Sequence, residues 1–221
     1  MIPLVLVLAG VGFAAVLLGT RSIKRAPTGQ VISYEPAVVS VLKPPSVTVP
    51  PTYVPAYTIG NFTPEIVASA LKWARARGVP VEEILATIYV ESRGNPRAWA
   101  NLSTEDSRGL MQVNVNAWGS KLAARGYSES DLWDIDKNIE IGSEIYATYR
   151  NNVLSWISQS GVPQSAPVDV LTRLAYKGPA YVKKKILAGE DASHPYANAE
   201  AAINNWKVAM NLASQVTSAI A

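Results

Sequence analysis

The chain has 221 residues, with 20 Lys and Arg against 17 Asp and Glu and no Cys, a length that holds one ordinary domain with extra segments, or two small domains, and excludes two large ones. A hydrophobic share of 48% beside 17% charged residues excludes a wholly disordered or highly charged chain, and 15 Pro with 14 Gly do not approach collagen. Without Cys there is no disulfide framework, thiolate zinc site or cysteine nucleophile.

The net charge of +3 is not spread evenly. Residues 1–60 carry Arg21, Lys24, Arg25 and Lys43 against the single acid Glu35, while residues 61–221 hold 16 basic and 16 acidic residues and are formally neutral. A groove that neutralises phosphates needs Lys and Arg clustered on the folded part. The run there is Lys183-Lys184-Lys185, which reads as a solvated helix face. No nucleic-acid partner is expected.

Ile2 to Gly19 is 18 residues without a charge. As a helix it reaches about 27 Å, close to the thickness of a bilayer core. It also exceeds the roughly 7–15 residues of a secretory h-region, so residues 1–20 are predicted to be a retained transmembrane anchor, with a cleaved signal as the alternative. Arg21, Lys24 and Arg25 follow directly, and by the positive-inside rule they favour a cytoplasmic C-terminal part. From Pro27 to Pro64 the chain carries eight prolines, including Pro44-Pro45 and Pro50-Pro51, interleaved with valines. Helix is excluded there, and residues 21–60 read as a basic flank and an extended spacer. An edge strand formed by the valines is the second reading.

Residues 61–221 read as one helical domain. Thr63-Pro64-Glu65 has the form of an N-cap, a proline at N1 and a first-turn acid, and Ile66, Ala70, Trp73 and Ala74 recur on one face up to Gly78. Pro80 to Ser92 repeats the pattern, and Ile135, Ile139, Gly142, Tyr146 and Tyr149 mark a third helix whose glycine would admit a close neighbour. Further helices are predicted at Trp118–Arg125, Pro167–Tyr176, Pro179–Ala188 and Ala197–Ile220. All six Trp fall in this part, as a packed core would require. Strand signals are few, so any sheet should be small and the fold class mainly α.

Glu91 is the sharpest chemical feature. It follows Ile88 by three residues and Ile84 by seven, which puts a carboxylate on the apolar stripe near a helix C-terminus. Desolvation and the helix dipole both disfavour the charged form at such a place, and an acid kept protonated near neutral pH suits glycosidic bond cleavage. The structural alternative is a buried or rim glutamate paired with Arg93 or Arg97.

The stretch Ile84 to Pro96, followed by Ser107-Arg108-Gly109-Leu110-Met111-Gln112-Val113, resembles the soluble lytic transglycosylase family of peptidoglycan-cleaving enzymes. Glu91-Ser92 matches the family's Glu-Ser pair and Gly109-Leu110-Met111-Gln112 its Gly-Leu-Met-Gln motif. Leu132-Trp133-Asp134 with Asn138-Ile139 and Gly142 is similar to its Asp-Pro…Asn-Ile…Gly helix. Ala175-Tyr176-Lys177-Gly178 stands where the family has Ala-Tyr-Asn-x-Gly, and Tyr196 where it has a late tyrosine. The five matches are in order and span about residues 64–200.

The resemblance implies a lysozyme-like helical domain of the goose type. In it Glu91 is the single catalytic acid: it protonates the oxygen between N-acetylmuramic acid and N-acetylglucosamine, then as a base takes the proton of the muramyl C6 hydroxyl, leaving a 1,6-anhydromuramyl end. Met111 and Gln112 match positions that line the sugar groove, and Tyr176 and Tyr196 match tyrosines around the glutamate; for both tyrosines core packing is the alternative. Ser92 and Ser107 are weaker substrate-binding candidates, because serines near a helix end more often cap it. Lys177 departs from the family's asparagine and cannot accept hydrogen bonds as an amide does. It could meet a peptide-stem carboxylate or act on Glu91.

Hydrolysis is the competing chemistry, since goose-type lysozymes share the fold. A two-carboxylate hydrolase needs a second acid roughly 5 to 9.5 Å from the first, and Glu105 and Asp106 are the nearest in sequence. A degenerate domain that binds glycan or anchors an assembly is a non-enzymatic alternative. The partners expected are peptidoglycan strands and, through the anchor, a membrane. A substrate outside the cell conflicts with the flanking charge, and two settings reconcile them: a bacterial inner-membrane enzyme facing the periplasm, or a phage whose virion contains a membrane. No metal or cofactor site is expected, as His194 is the only histidine and no phosphate-binding glycine loop is present.

Overall fold

A computed structural model describes residues 61–102 and 105–220. The predicted anchor from Ile2 to Gly19 and the spacer of residues 21–60 lie outside the described residues. Among those described, no helix is long and apolar enough to cross a membrane.

Among the described residues, seven α-helices and a small antiparallel sheet follow in the order α1 (Pro64–Arg77), α2 (Val81–Ser92), β1 (Trp99–Leu102), β2 (Glu105–Arg108), β3 (Val113–Asn114), α3 (Val115–Ala124), α4 (Ile135–Ser160), α5 (Val168–Lys177), α6 (Pro179–Leu187) and α7 (Ala199–Ile220). The start of α1 is built as its sequence predicts: Thr63 Oγ1 accepts from the Ile66 amide, and Gly78 closes the helix with φ 65°. The boundaries differ from expectation most at two places. Helix α3 begins at Val115 instead of Trp118 because Asn114 caps it, its side chain accepting from the Ala117 amide. Helix α4 continues past Tyr149 to Ser160. A 3-10 helix at Glu129–Trp133, opened by a capping box between Ser128 and Asp131, precedes α4 and has no counterpart among the helices expected from the sequence.

Helix α4 is the spine, packing against α1, α5 and α6, while α2 packs chiefly on α7. It serves two hydrophobic clusters. Ile139, Tyr146 and Val153 join the main core with Ile84, Ile88, Leu171 and Trp206, and Ile141 and Ile145 join a second cluster with Val113, Leu122 and Leu132. The tryptophans do not fill the core as expected: Trp206 is the fully buried one, Trp73, Trp118, Trp133 and Trp156 are half-buried, and Trp99 is exposed. Their polar edges and cation contacts hold them at rims. The Trp73 Nε1 donates to Asp136, and Arg97 and Arg108 lie over Trp133.

The Gly109–Gln112 turn is fixed onto α4 by Asn138. The Asn138 Nδ2 donates to the carbonyls of Arg108 and Leu132, both at 2.9 Å, and its Oδ1 accepts from the Met111 amide at 2.8 Å. Gly109 has φ 74°, and a Cβ there would stand 2.1 Å from the Asn138 amide nitrogen. Gly142 allows the close approach predicted for it: a Cβ at that position would lie 2.6 Å from Met111 Cβ. Rotating the methionine does not move its own Cβ, so Gly142→Ala is expected to lower the unfolding free energy by about 1–3 kcal/mol. Asn138→Ala, which strands three backbone groups, two of them in buried hydrogen bonds, is expected to lower it by about 2–4 kcal/mol. Urea denaturation of the two variants checks both values.

Candidate functional site

Between the two clusters lies a cavity of about 420 Å³, with Glu91 from α2, Glu105 and Ser107 from β2, Gln112, Trp118 from α3, Tyr149 from α4, and Tyr176 and Lys177 from α5 in its lining. Three aromatic rings form a continuous wall: Trp118 meets Tyr149 edge to face at 6.4 Å, and Tyr149 meets Tyr176 edge to face at 5.9 Å. Tyr149 and Tyr176 touch both hydrophobic clusters, so each ring is held from two sides. The lining sets these rings beside six polar or charged side chains, Glu91, Glu105, Ser107, Gln112, Asn114 and Lys177.

Glu91 is 20% exposed and is paired, but with a residue that the sequence did not suggest. Arg173 of α5, 4% exposed, donates through one guanidinium nitrogen to Glu91 Oε1. The expected partners Arg93 and Arg97 turn elsewhere. Arg93 ends α2 in the left-handed region at φ 56°, which swings its guanidinium over the Tyr89 ring at 4.3 Å. Arg97 lies 6.0 Å from the Trp133 ring. The lone acid on an apolar stripe is thus half of a cross-helix ion pair. Arg173 carried a comparable signal, being a cation on a helix face shared with Val170 and Tyr176, so that two opposite charges each interrupt an apolar stripe.

The other predicted site residues divide into those that reach the cavity and those that do not. Tyr176 lines it, with its hydroxyl donating to the Met111 carbonyl at 2.9 Å. Burial pushes this phenol far above its ordinary range, the Glu91 charge adds to that and Arg173 opposes it, so the hydroxyl acts as a neutral donor. Gln112 also lines the cavity. Its backbone is held at φ 48°, unusual for a residue with a side chain, and its Nε2 donates to the carbonyls of Ala98 and Gly109. Met111 does not line the cavity, because its side chain is wholly buried against Gly142 and it contributes its backbone carbonyl. Ser92 is a cap, donating to the Ile88 carbonyl and accepting from the Gly94 amide. Tyr196 packs on Tyr181 and Gly178 outside the cavity lining, its hydroxyl buried without a partner among the described residues.

Strand alternation separates the two candidate second acids. Glu105 and Ser107 face the cavity, and Ser107 Oγ donates to Glu105 Oε1 at 2.8 Å. Asp106 lies on the other face, where it accepts from Arg108 at 2.7 and 2.9 Å and from Trp99 Nε1 at 2.9 Å. The Arg108 hydrogen bond holds the Asp106 carboxyl below the usual range. No group of His, Asp and Glu among the described residues is arranged to hold a metal. Lys177 lines the cavity, is exposed, and makes no hydrogen bond or ion pair with the described residues. Of the cavity residues, Tyr149 and Trp118 were read from the sequence only as helix residues, and their convergence depends on the approach of α3 to α4. Tyr176→Phe keeps the ring but leaves the Met111 carbonyl unpaired; unfolding is expected to become easier by about 0.5–1.5 kcal/mol by urea titration, with the wall intact.

Residues 68–160 match the family model described as "Transglycosylase SLT domain". No curated protein matches the chain. The matched span contains Glu91, Ser92, Met111 and Gln112 and ends before Arg173, Tyr176, Lys177 and Tyr196. That match is consistent with the soluble lytic transglycosylase family, whose members are peptidoglycan lytic transglycosylases that cleave glycan as lyases.

Proposed function

We propose that this protein cleaves the β-1,4 bond between N-acetylmuramic acid and N-acetylglucosamine with Glu91 as its catalytic acid and base. The observation that carries the reading is the position of Glu91, held at one oxygen by Arg173 and lining a cavity that Trp118, Tyr149 and Tyr176 also line. Glu91 gives a proton to the glycosidic oxygen as the bond from that oxygen to muramyl C1 breaks, its electron pair leaving with the oxygen. The C6 hydroxyl oxygen then bonds to C1 and returns its proton to Glu91. The product is a 1,6-anhydromuramyl end, and no water is consumed. In this reading Trp118, Tyr149 and Tyr176 supply ring surfaces to the sugars, and Gln112 fixes the cavity floor through its two backbone hydrogen bonds.

Hydrolysis is the second reading, favoured by Glu105 standing in the same cavity as Glu91. Glu105 already accepts from Ser107, and in the first reading it orients polar groups of the sugar and activates no water. Asp106, bound by Arg108 and Trp99 on the far face, serves neither chemistry. Residues 1–60 fit a membrane anchor over Ile2–Gly19 and an extended spacer that carries the domain to the cell wall, from a bacterial inner membrane facing the periplasm or from the membrane of a phage virion, for local opening of the wall. The charge at Arg21, Lys24 and Arg25 opposes the periplasmic orientation for ordinary insertion, which favours the virion. Protease protection of the domain in intact spheroplasts, with digestion after lysis, would contradict an outward-facing enzyme.

Lytic activity on peptidoglycan, read by turbidity and by in-gel clearing, is expected to fall about 10²- to 10⁴-fold in Glu91→Gln. Glu105→Gln is expected to stay within about tenfold of the parent, since one hydrogen bond to a neutral partner is at stake. Equal loss in the two variants would transfer the assignment to a two-carboxylate hydrolase.

A further inference from the structure

Arg173 lies outside the residues that match the family model, and nothing in the packing of α5 requires a cation there. Its helix neighbours Val170, Leu171, Leu174 and Ala175 are buried apolar residues. Taking a guanidinium out of water is unfavourable unless it is paired, and this one has a single carboxylate partner, Glu91. Its Nε is buried and makes no hydrogen bond with the described residues. The Tyr176 ring, 5.9 Å from the guanidinium carbon, confines it from one side. The result is a cation held rigidly against one oxygen of Glu91, while Oε2 takes no hydrogen bond from the described residues.

We propose that Arg173 is a positioning residue for the reaction: it fixes Glu91 by Oε1 and stabilises the carboxylate that exists between the two proton transfers, leaving Oε2 to carry the proton. The inference rests on the reading of Glu91 as acid and then base. In the first transfer the Oε2 proton goes to the glycosidic oxygen and Glu91 becomes an anion, its charge facing Arg173. In the second, the C6 hydroxyl proton returns to Oε2 as the C1–O6 bond closes. Arg173 stays protonated throughout and exchanges nothing. A neutral residue in its place leaves the anion half-buried and without a cation against it. The fixed cation is more effective there than in water because the surroundings polarise less.

The test uses the full chain and soluble glycan strands, with kcat and KM measured separately. Arg173→Gln removes the charge and with it the charged hydrogen bond to Oε1; kcat is expected to fall about 10- to 100-fold with KM within about twofold, the size of that lost bond. Arg173→Lys keeps the charge and is expected to recover most of that loss, with both variants melting within a few degrees of the parent. A Gln variant with the parent's kcat, beside an inactive Glu91→Gln, would overturn the role of Arg173 while leaving Glu91 in place. A rise in KM without a change in kcat would overturn it equally, by making Arg173 a binding residue. If Arg173→Gln does not fold, Arg173→Lys decides alone, because a loss as deep as that of Glu91→Gln would contradict a role carried by charge. An active Glu91→Gln would instead defeat the reading on which the inference rests.

Discussion

The close approach of the Gly109–Gln112 turn to helix α4 is the constraint on which the cavity depends. Two devices enforce it: the absence of a side chain at Gly142, which lets Met111 sit against the helix, and the three hydrogen bonds that Asn138 makes to the turn and its neighbours. Once the turn is seated, the sheet is carried with it, because β2 and β3 flank the turn and pair across it through Ser107 with Asn114 and Arg108 with Val113. Strand alternation then aims Glu105 and Ser107 into the cavity and sends Asp106 and Arg108 outward. The Met111 carbonyl presented by the same turn receives the Tyr176 hydroxyl, which ties α5 to the cavity as well.

Helix α2 brings the candidate catalytic acid to this frame and is held by two cross-helix ion pairs. Glu83 near its start pairs with Arg150 of α4 at 3.2 Å, and Glu91 in its last turn pairs with Arg173 of α5. Burial pushes the Glu83 carboxyl above its ordinary range despite Arg150, the expected balance for a group sunk in the core. Glu91 differs in geometry more than in chemistry: one oxygen is committed to the cation, and the residue still opens on a cavity. Such pairs add little net stability against apolar replacements, though removing one partner from a fully buried pair costs about 3–5 kcal/mol. Their contribution here is better understood as fixing where a carboxylate sits.

Much of this was legible in the sequence, for definite reasons. Helices with strong 3.6-residue periodicity and proper caps, such as Thr63 and Gly78 around α1, stand where the pattern puts them. The glycine at 142 announced a close approach because nothing else about a helix interior calls for one. What the sequence did not show was the pairing of distant residues. Glu91 and Arg173 are 82 positions apart, and neither carries a local sign of the other. Met111 and Ser92 sit inside motifs that resemble binding sequences, yet their positions on a buried turn and a helix end commit them to packing and capping. Most of the tryptophans stand at rims because a large apolar ring with a polar edge is as stable there, over a cation, as in the core. The second acid could be narrowed only after the register of β2 was known, since Glu105 and Asp106 differ by one residue and hence by one face of the strand.

The account stands on the claim that Glu91 works alone and that the muramyl C6 hydroxyl, not water, completes the reaction. Mass spectrometry of the muropeptides released from purified peptidoglycan by the parent protein tests this most directly. The account predicts terminal muramyl residues lighter by one water than reducing ends, from the earliest time points and unchanged in Glu105→Gln. Products that carry ordinary reducing ends, labelled when the digestion is run in heavy-oxygen water, would contradict it.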